Sequence, residues 1–340
     1  MRKRTEKSGF SDVSFDTMTR RLLSLAQQGP LTILIHARPD GDCVGSGFAI
    51  AALLASAGCE ARVVCADPIP ERLEFLNVTG QKGTLPPSAG EPFGPGSRAV
   101  SVDIAAPALF GGLDSEYDVL LGIDHHDSST AVSDRYNDPS ASAAGEIVWR
   151  IAKNWQRTGV IPEIPHATAY AAYAAISSDT GCFRFPNVTP ATHRIAAQLI
   201  AEVPEHAEID RRLFEIKTPG RIAAEKTAME LLHVSEDGKI SWCAISHKMI
   251  TESGLPQSEL DALTDVARSV DGVEVAVAVR EEKPGSFRVS LRSNGPIDVS
   301  AVCASFGGGG HKRAAGCTIS ASSVDEAVNR VYEKVREAIK

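Results

Sequence analysis

The sequence lacks the features that place a chain in a membrane or outside the cell. No stretch approaches the 18 or more uncharged apolar residues of a membrane-spanning helix, and the charged opening is not followed by the apolar segment of a signal peptide. The seven cysteines form no CxxC pair, which disfavours structural zinc and agrees with reduced thiols. We therefore expect a cytoplasmic protein without a membrane partner.

The sequence also lacks an excess of positive charge. Lysine and arginine number 35 against 43 aspartates and glutamates, so the formal net charge is −8. Tight binding to long nucleic acid depends on many basic side chains that release counterions from phosphates. Long duplex nucleic acid is therefore disfavoured as a partner, whereas a small anionic substrate is compatible with this charge if metal ions supply the positive charge.

Motifs of several common catalytic and nucleotide-binding sites are absent. There is no GxSxG turn for a nucleophilic serine, no GK[ST] of a P-loop and no GxGxxG between a strand and a helix. Cys43 is flanked by Asp40 and Asp42, whose charges would raise the pKa of its thiol, so we interpret it as a packing residue. Covalent catalysis is disfavoured.

Strands and helices alternate in the first half of the chain. The 340 residues, of which 43 % are hydrophobic, suffice for two domains with separate cores. Apolar stretches at 31–36, 61–65, 99–103 and 117–124 alternate with helical patterns such as 45–58. This order predicts an α/β domain built on a parallel sheet with helices on both faces.

The second half has a different order of elements. Helix-forming segments come first, and strand patterns follow at 239–245, 273–280 and 286–293. The predicted organisation is a catalytic, metal-binding domain at 17–190, a helical linker at 191–224, and a smaller α/β domain with a mixed sheet at 225–340.

Acidic and imidazole side chains follow the predicted strands of the first half. Ligands of open α/β sheets bind at the carboxyl ends of the strands. Gly41 permits a tight turn, so Asp40 and Asp42 can point into one cavity despite their repulsion. A single aspartate at a strand end is ordinarily a cap or faces water, whereas a convergent set indicates a cation site. The set is His36, Asp40 and Asp42, then Asp103, then Asp124, His125 and His126, and finally Asp179 after an apolar helix.

These residues match a known family. The pattern HxxxDxD at 36–42, the strand-end Asp103, the tripeptide DHH at 124–126 and Asp179 resemble the DHH-family phosphoesterases. The segment GGGGHKRAAG at 307–316 resembles the signature of their DHH-associated C-terminal domain. The length and the two-domain layout are most similar to the NrnA-type nanoRNase branch.

The resemblance implies a site for two divalent metal ions. Oxygen and imidazole donors suit Mn²⁺, with Mg²⁺ or Co²⁺ as substitutes. Two such ions would activate water as the nucleophile for attack on phosphorus. The implied ligands are His36, Asp40 and Asp103 for one ion, and Asp42, Asp103, His125 and Asp179 for the other. His126 is then placed against the scissile phosphate, and Asp124 either orients a neighbouring imidazole or contacts a metal itself.

Substrate contacts are predicted in both halves. The glycine run 307–310 lets backbone amides approach a phosphate, with the flexible loop as the alternative interpretation. Within this run Gly309 and Gly310 are the predicted contacts, and the resemblance adds Arg292 and His311 as contacts of phosphate or base. Arg184, between Phe183 and Phe185, either reaches a phosphate or packs against aromatic rings.

The resemblance implies hydrolysis of short single-stranded oligoribonucleotides (nanoRNA) to mononucleotides and removal of the 3′-phosphate of 3′-phosphoadenosine 5′-phosphate (pAp). A cleft closed by the second domain would explain a preference for short chains. The alternatives are a phosphodiesterase of pGpG or cyclic di-AMP, a pyrophosphatase, and a non-catalytic nucleotide-binding sensor. The sequence does not decide between a monomer and a homodimer.

Overall fold

The computed structural model describes residues 11–339, and the chain divides into two compact units, Met1–Ile216 and Lys217–Lys340. The division falls inside the segment 191–224 that the sequence predicts as a linker. Across the described range, no helix combines the length and the apolar character needed to cross a bilayer.

The first unit contains a six-stranded sheet and six α-helices within its described part. Its elements are β1 (Ser11–Asp12), α1 (Phe15–Gln27), β2 (Leu31–Leu34), α2 (Gly41–Ser56), β3 (Ala61–Val64), β4 (Arg98–Val102), β5 (Asp118–Asp124), β6 (Asp134–Asn137), α3 (Ala144–Arg157), α4 (His166–Asp179), α5 (Pro190–Glu202) and α6 (His206–Phe214).

The strands of this sheet are all parallel, in the order β1-β6-β5-β4-β2-β3. The chain turns from β2 to β3 on one side and then returns to β4 on the other side of β2, which creates a topological switch point between β2 and β4. Such points are where open α/β sheets bind ligands, because the connections leave the two carboxyl ends in opposite directions.

Both faces of the sheet are buried. One face, with Ile33 and Val100, packs in the main core against the α-helices. The opposite face, with Leu34 and Ala99, is covered by Phe110 and its neighbours in two short 3-10 helices, Pro107–Phe110 and Leu113–Ser115. The parallel sheet with helices predicted from the alternating pattern is confirmed.

Small residues let α2 and α4 approach closely. A Cβ atom on Gly45 would lie 2.6 Å from the carbonyl oxygen of Ala171 and 3.0 Å from Cβ of Ala175, and one on Gly41 would overlap the side chain of Ser178. Gly41 lies in the first turn of α2, and its φ is not positive. The tight turn predicted at Gly41 is therefore wrong, because this glycine serves contact between helices.

The second unit contains another six-stranded sheet. Its elements are α7 (Pro219–Glu230), β7 (Leu232–Val234), β8 (Ile240–Ile245), α8 (His247–Ser253), α9 (Ala262–Arg268), β9 (Val275–Lys283), β10 (Ser286–Ser293), α10 (Val299–Ala304), β11 (Gly309–His311), β12 (Ala314–Ser320) and α11 (Val324–Ile339).

This second sheet has the order β11-β12-β10-β9-β8-β7. Strands β8 and β9 are parallel and the other pairs are antiparallel, so the predicted mixed sheet is confirmed. One face packs against α10 and α11. On the other face, α7 and α9 pack in a cluster with β8 and β9, and α9 also approaches β7 and β10.

The glycine run 307–310 is not a flexible loop. The amides of Gly307 and Gly308 donate to the carbonyl oxygens of Ala304 and Cys303, which ends α10. Gly309 and Gly310 then form β11, paired with β12. The alternative of an unstructured loop is therefore wrong, and the amides of Gly307 and Gly308 are already used within the fold.

Candidate metal centre

Five elements deliver the predicted donors to the carboxyl edge of the first sheet, beginning with β2, which His36 follows. Asp40 is the N-cap of α2, and Asp42 lies in the first turn of that helix. Asp103 follows β4, Asp124 ends β5, and Asp179 is the last residue of α4. The carboxyl ends of adjacent parallel strands meet at one edge, so donors distant in sequence come together.

One group of donors surrounds the imidazole of His36. Its Nε2 atom lies 3.5 Å from Oδ1 of Asp40 and 3.8 Å from Oδ2 of Asp103. The Cys43 thiol belongs to the same group. Burial, followed by the charge of Asp40, raises the pKa of this thiol well above its ordinary value, so it stays neutral as the sequence interpretation requires.

A second group surrounds the imidazole of His125. Its Nε2 atom lies 3.4 Å from Oδ1 of Asp103, 3.6 Å from Oδ2 of Asp42 and 3.9 Å from Oδ2 of Asp179. These distances exceed ordinary hydrogen bonds and leave room for a cation among the donor atoms. The Asp103 carboxylate therefore faces both groups, with Oδ2 toward His36 and Oδ1 toward His125.

Asp103 is held in a strained backbone conformation. Its φ is 60°, which an aspartate tolerates better than most residues but still at a cost of about 1–3 kcal/mol. Its side chain is 4 % exposed, and Oδ1 has no hydrogen-bond partner within the described part of the chain. A buried carboxylate oxygen without a donor is costly, so this atom fits a metal ligand.

Backbone carbonyl groups orient the two imidazoles. Nδ1–H of His36 donates to the oxygen of Ala37 at 2.9 Å, and Nδ1–H of His125 donates to the oxygen of Ala141 at 3.2 Å. In each ring the Nε2 atom therefore faces the carboxylates. This is the usual arrangement of metal-binding histidines, because the second nitrogen fixes the tautomer.

The Asp42 carboxylate is fixed by the start of α3. Its Oδ2 accepts from the amide of Ala144 at 2.7 Å, and Oδ1 accepts from Gly145 at 3.1 Å and from the Ser46 hydroxyl at 2.8 Å. These partners are not evident in the sequence. They hold an anion at a helix N-terminus, where the dipole favours it.

The electrostatics of the cluster call for a cation. Burial and the charges of Asp103 and Asp179 hold the pKa of Asp42 well above its ordinary value, and burial with the charge of Asp103 raises the pKa of Asp179 to about 6. Burial lowers the pKa of His125, but the surrounding carboxylates outweigh it and raise the pKa to about 11. Divalent cations would remove this repulsion, so the donor set fits divalent metal binding.

His126 stands beside the two groups. Its Nδ1–H donates to Oδ1 of Asp124 at 2.8 Å, and the same oxygen accepts the backbone amide of His125 at 2.8 Å. Nδ1 of His126 lies 3.6 Å from Oδ1 of Asp103. Of the two roles predicted for Asp124, this geometry favours orientation of an imidazole.

Sequence reasoning missed Asn187 at this site. Its Nδ2 donates to the backbone oxygen of Asp179 at 3.1 Å, to Oδ2 of Asp179 at 3.3 Å and to the oxygen of Ser142 at 3.0 Å. It thereby ties the last residue of α4 to the segment before α3. The only available signal was its position eight residues after Asp179.

Arg184 packs against the protein. Its Nε–H donates to the oxygen of Gly181 at 2.6 Å, and its guanidinium lies 5.6 Å from the centre of the Phe214 ring. The aromatic partner is thus Phe214 instead of Phe183 or Phe185. Its contact with phosphate stays a prediction.

The residues predicted in the second unit lie on β10 and β11, the two strands that flank β12. In the register of the sheet, His311 pairs with Ala314, which pairs with Arg292. Gly309 pairs with Gly316 and Gly310 with Ala315. The side chain of His311 lies outside the described residues.

Comparisons with known proteins cover both units. Residues 30–176 match the DHH family, N-terminal domain, and residues 239–337 match the DHHA1 domain. A protein of Thermus thermophilus named bifunctional oligoribonuclease and PAP phosphatase NrnA is 31 % identical over 316 residues, 92 % of this chain and 91 % of the relative. A protein of the same name from Bacillus subtilis is 28 % identical over 294 residues, 85 % and 89 % of the two chains. The crystal structure of an exopolyphosphatase-related protein from Bacteroides fragilis has the same fold, with a TM-score of 0.82, 20 % identity and 98 % of both chains covered.

Proposed function

Because the chain belongs to the DHH family of phosphoesterases, in its NrnA branch, we propose that it hydrolyses short oligoribonucleotides to mononucleotides and removes the 3′-phosphate of pAp. The observation that carries this proposal is the buried Asp103 carboxylate, shared by two groups of oxygen and imidazole donors in a chain that resembles its NrnA relatives over nearly its whole length. A module that only binds a nucleotide has no need of such a donor set.

The donor groups support a site for two divalent ions. One ion would be held by His36, Asp40 and Asp103. The other would be held by Asp42, Asp103, His125 and Asp179. Mn²⁺ suits these ligands best, with Mg²⁺ or Co²⁺ as substitutes. When bound, the ions supply Lewis acidity toward water and the phosphoryl oxygens.

The remaining chemistry belongs to the side chains of the protein. The hydrogen bond from Nδ1–H to Asp124 holds the His126 ring beside the shared carboxylate. When Nε2 is also protonated, the ring can donate from Nε2 to an oxygen of the scissile phosphate. Asp124 keeps the proton on Nδ1 and thereby orients the ring. Arg292, Gly309, Gly310 and His311 would bind the phosphate or base of the substrate, with Arg184 as a further contact. We propose a cytoplasmic location, which suits this substrate class.

A substrate panel tests the proposal. Purified protein with Mn²⁺ is assayed on pAp, the dinucleotide diadenylate, a long single-stranded RNA, pGpG, cyclic di-AMP and pyrophosphate. We expect the highest kcat/KM on pAp and the dinucleotide. Fastest turnover of pGpG, cyclic di-AMP or pyrophosphate would support the corresponding alternative, and binding without turnover would support the sensor.

The Asp103→Asn variant tests the shared ligand. It should lower kcat on pAp by more than about 100-fold, because even residues that only orient a metal ligand cost 10–100-fold. The matched control is Asp127→Asn, an exposed aspartate directly after the DHH tripeptide, which should keep wild-type kcat. After dialysis, the wild type should retain two Mn²⁺ per chain, and Asp103→Asn should retain fewer. Wild-type kcat in Asp103→Asn would show that Asp103 is not a ligand required for the reaction.

A further inference from the structure

One half of a sheet face in the second unit is uncovered and carries arginines. On β10, Phe287, Val289 and Leu291 point into the core, so Arg288, Ser290 and Arg292 lie on the opposite face. On that face, α7 and α9 pack in a cluster with β8 and β9, and α9 also approaches β10. Arg288, Ser290 and Arg292 are partly exposed there, and Thr318 is exposed.

Arg288 stands directly opposite another arginine. In the register, Arg288 pairs with Arg280 on β9 and with Thr318 on β12. Like charges directly opposite on neighbouring strands are destabilising. Arg280 is nearly buried and forms an ion pair with Asp261 at 3.3 Å. Arg288, which is half-buried, has neither an ion pair nor a side-chain hydrogen bond within residues 11–339.

Within residues 11–339, Asp261 balances the charge of Arg280, whereas no ion pair balances Arg288, in a chain whose net charge is −8. An anion bound at Arg288 would relieve the repulsion from Arg280, and the exposed hydroxyl of Thr318 is placed to donate to the same anion. A guanidinium in this setting recognises phosphate or carboxylate.

The surface between Arg288 and Arg292 is flat. Between them on β10 lies Ser290, which pairs with Gly316 on β12, and Gly316 pairs with Gly309 on β11. These three small residues form a row across the strands. A Cβ atom on Gly309 would meet no atom within 4 Å, so the space beside it is open. A sugar or base can therefore lie on this row without meeting a large side chain.

The spacing of the two arginines suits a ligand with separated phosphates. They are four residues apart on one strand, which places their Cα atoms about 13 Å apart at roughly 3.3 Å per residue. Side chains that stand perpendicular to the sheet keep a similar separation, and the backbone of an oligonucleotide carries phosphates that are separated along a chain.

We propose that Arg288, with Thr318 and Arg280, forms a second phosphate subsite, which binds a backbone phosphate of an oligoribonucleotide other than the phosphate bound at Arg292. The proposal rests on the proposed function and deepens it, because it predicts which substrates depend on Arg288. Substrates with several phosphodiester groups use the subsite, and a substrate with one such group does not.

The test compares two substrates that differ only in length. Diadenylate has one phosphodiester and tetra-adenylate has three, and both are cleaved by the same chemistry. Arg288→Gln should lower kcat/KM on tetra-adenylate by about tenfold, the usual effect of one charged hydrogen bond, and leave diadenylate within twofold. The slope of log(kcat/KM) against log salt on tetra-adenylate should become shallower by about 0.7.

Two variants control for charge and folding. Arg336→Gln removes one exposed arginine from α11, which covers the other face of the sheet, and should change neither rate. Arg288→Lys keeps the charge and should recover most of the loss. An equal loss on both substrates, or no loss on either, would overturn the subsite.

Failure of the proposed function gives a different result. If the wild-type protein cleaves neither diadenylate nor tetra-adenylate, the proposed function is wrong. The affinity for labelled tetra-adenylate then tests the subsite. Weaker binding by Arg288→Gln than by Arg336→Gln would then support the subsite. Equal affinities of these two variants would overturn it.

Discussion

At the scale of single residues, the proposed metal ligands are oriented by their neighbours in the protein. The Asp42 carboxylate accepts hydrogen bonds from two backbone amides of α3, and the Nδ1–H groups of His36 and His125 donate to backbone carbonyl oxygens. Asp179 has a different support, the side chain of Asn187, because the backbone at the end of α4 offers its carboxylate no comparable donor in the described residues. Loss of such an orienting contact lowers metal affinity without removing a ligand.

Asn187→Ala should therefore weaken Mn²⁺ binding by about 10–100-fold. Saturating Mn²⁺ should restore most of kcat, since all ligands remain. Titration with Mn²⁺, followed by activity on pAp, measures both quantities. Asn154→Ala, which changes a half-buried asparagine on α3 away from the ligands, is the control and should bind Mn²⁺ normally. An unchanged Mn²⁺ affinity in Asn187→Ala would mean that the hydrogen bonds to Asp179 are incidental.

At the scale of elements, the contact between α2 and α4 sets the distance between two of the proposed ligands. Asp42 lies at the start of α2 and Asp179 at the end of α4, so the side chains at the interface decide how closely the carboxylates approach. Gly41 and Gly45 supply the room. A helical glycine ordinarily costs about 1 kcal/mol relative to alanine, so these positions give up helix stability for close packing.

Gly45→Ala tests this packing. The new Cβ would lie 2.6 Å from a backbone oxygen that cannot move alone, so overpacking should outweigh the gain in helix propensity and lower the free energy of unfolding by about 1–3 kcal/mol. Urea denaturation measures the loss, and Mn²⁺ affinity should fall with it. Gly295→Ala, where a Cβ meets nothing within 4 Å, should be nearly neutral. Equal stability of the two variants would show that the helices adjust freely.

At the scale of the whole molecule, the two units have separate cores and separate chemistry. Among residues 11–339, the donor groups belong to the first unit, and each hydrophobic cluster lies within one unit. Metal binding stabilises only a state that contains the site. Its effect on local stability should therefore be confined to one unit.

Mn²⁺ at 100 times its dissociation constant should stabilise the first unit by about 2.7 kcal/mol. Hydrogen exchange measured by mass spectrometry should show added protection in peptides from β2, β4 and α4, and unchanged protection in peptides from β9 and β10. The Asp103→Asn variant should lose the added protection. Equal protection of both units on addition of Mn²⁺ would contradict this separation.

Much of the fold and of the site was determined by the sequence alone. Strand and helix periods are local, so they predicted the alternating first half, the mixed second sheet and the strand ends that carry His36, Asp103 and Asp124. Because parallel strands end at a common edge, the convergence of these donors followed from the same pattern. The DHH tripeptide and the C-terminal glycine segment were sufficient to identify the family.

Only the tertiary structure decided which groups support those donors. The role of Gly41 depends on Ser178, and the support of Asp179 depends on Asn187, and no local pattern encodes either contact. The pairing of Gly309 with Gly316 and of Arg288 with Arg280 depends on strand register, which is set by packing across the whole sheet. Local periodicity cannot specify such contacts, because their energy comes from neighbours that meet only when the chain is folded.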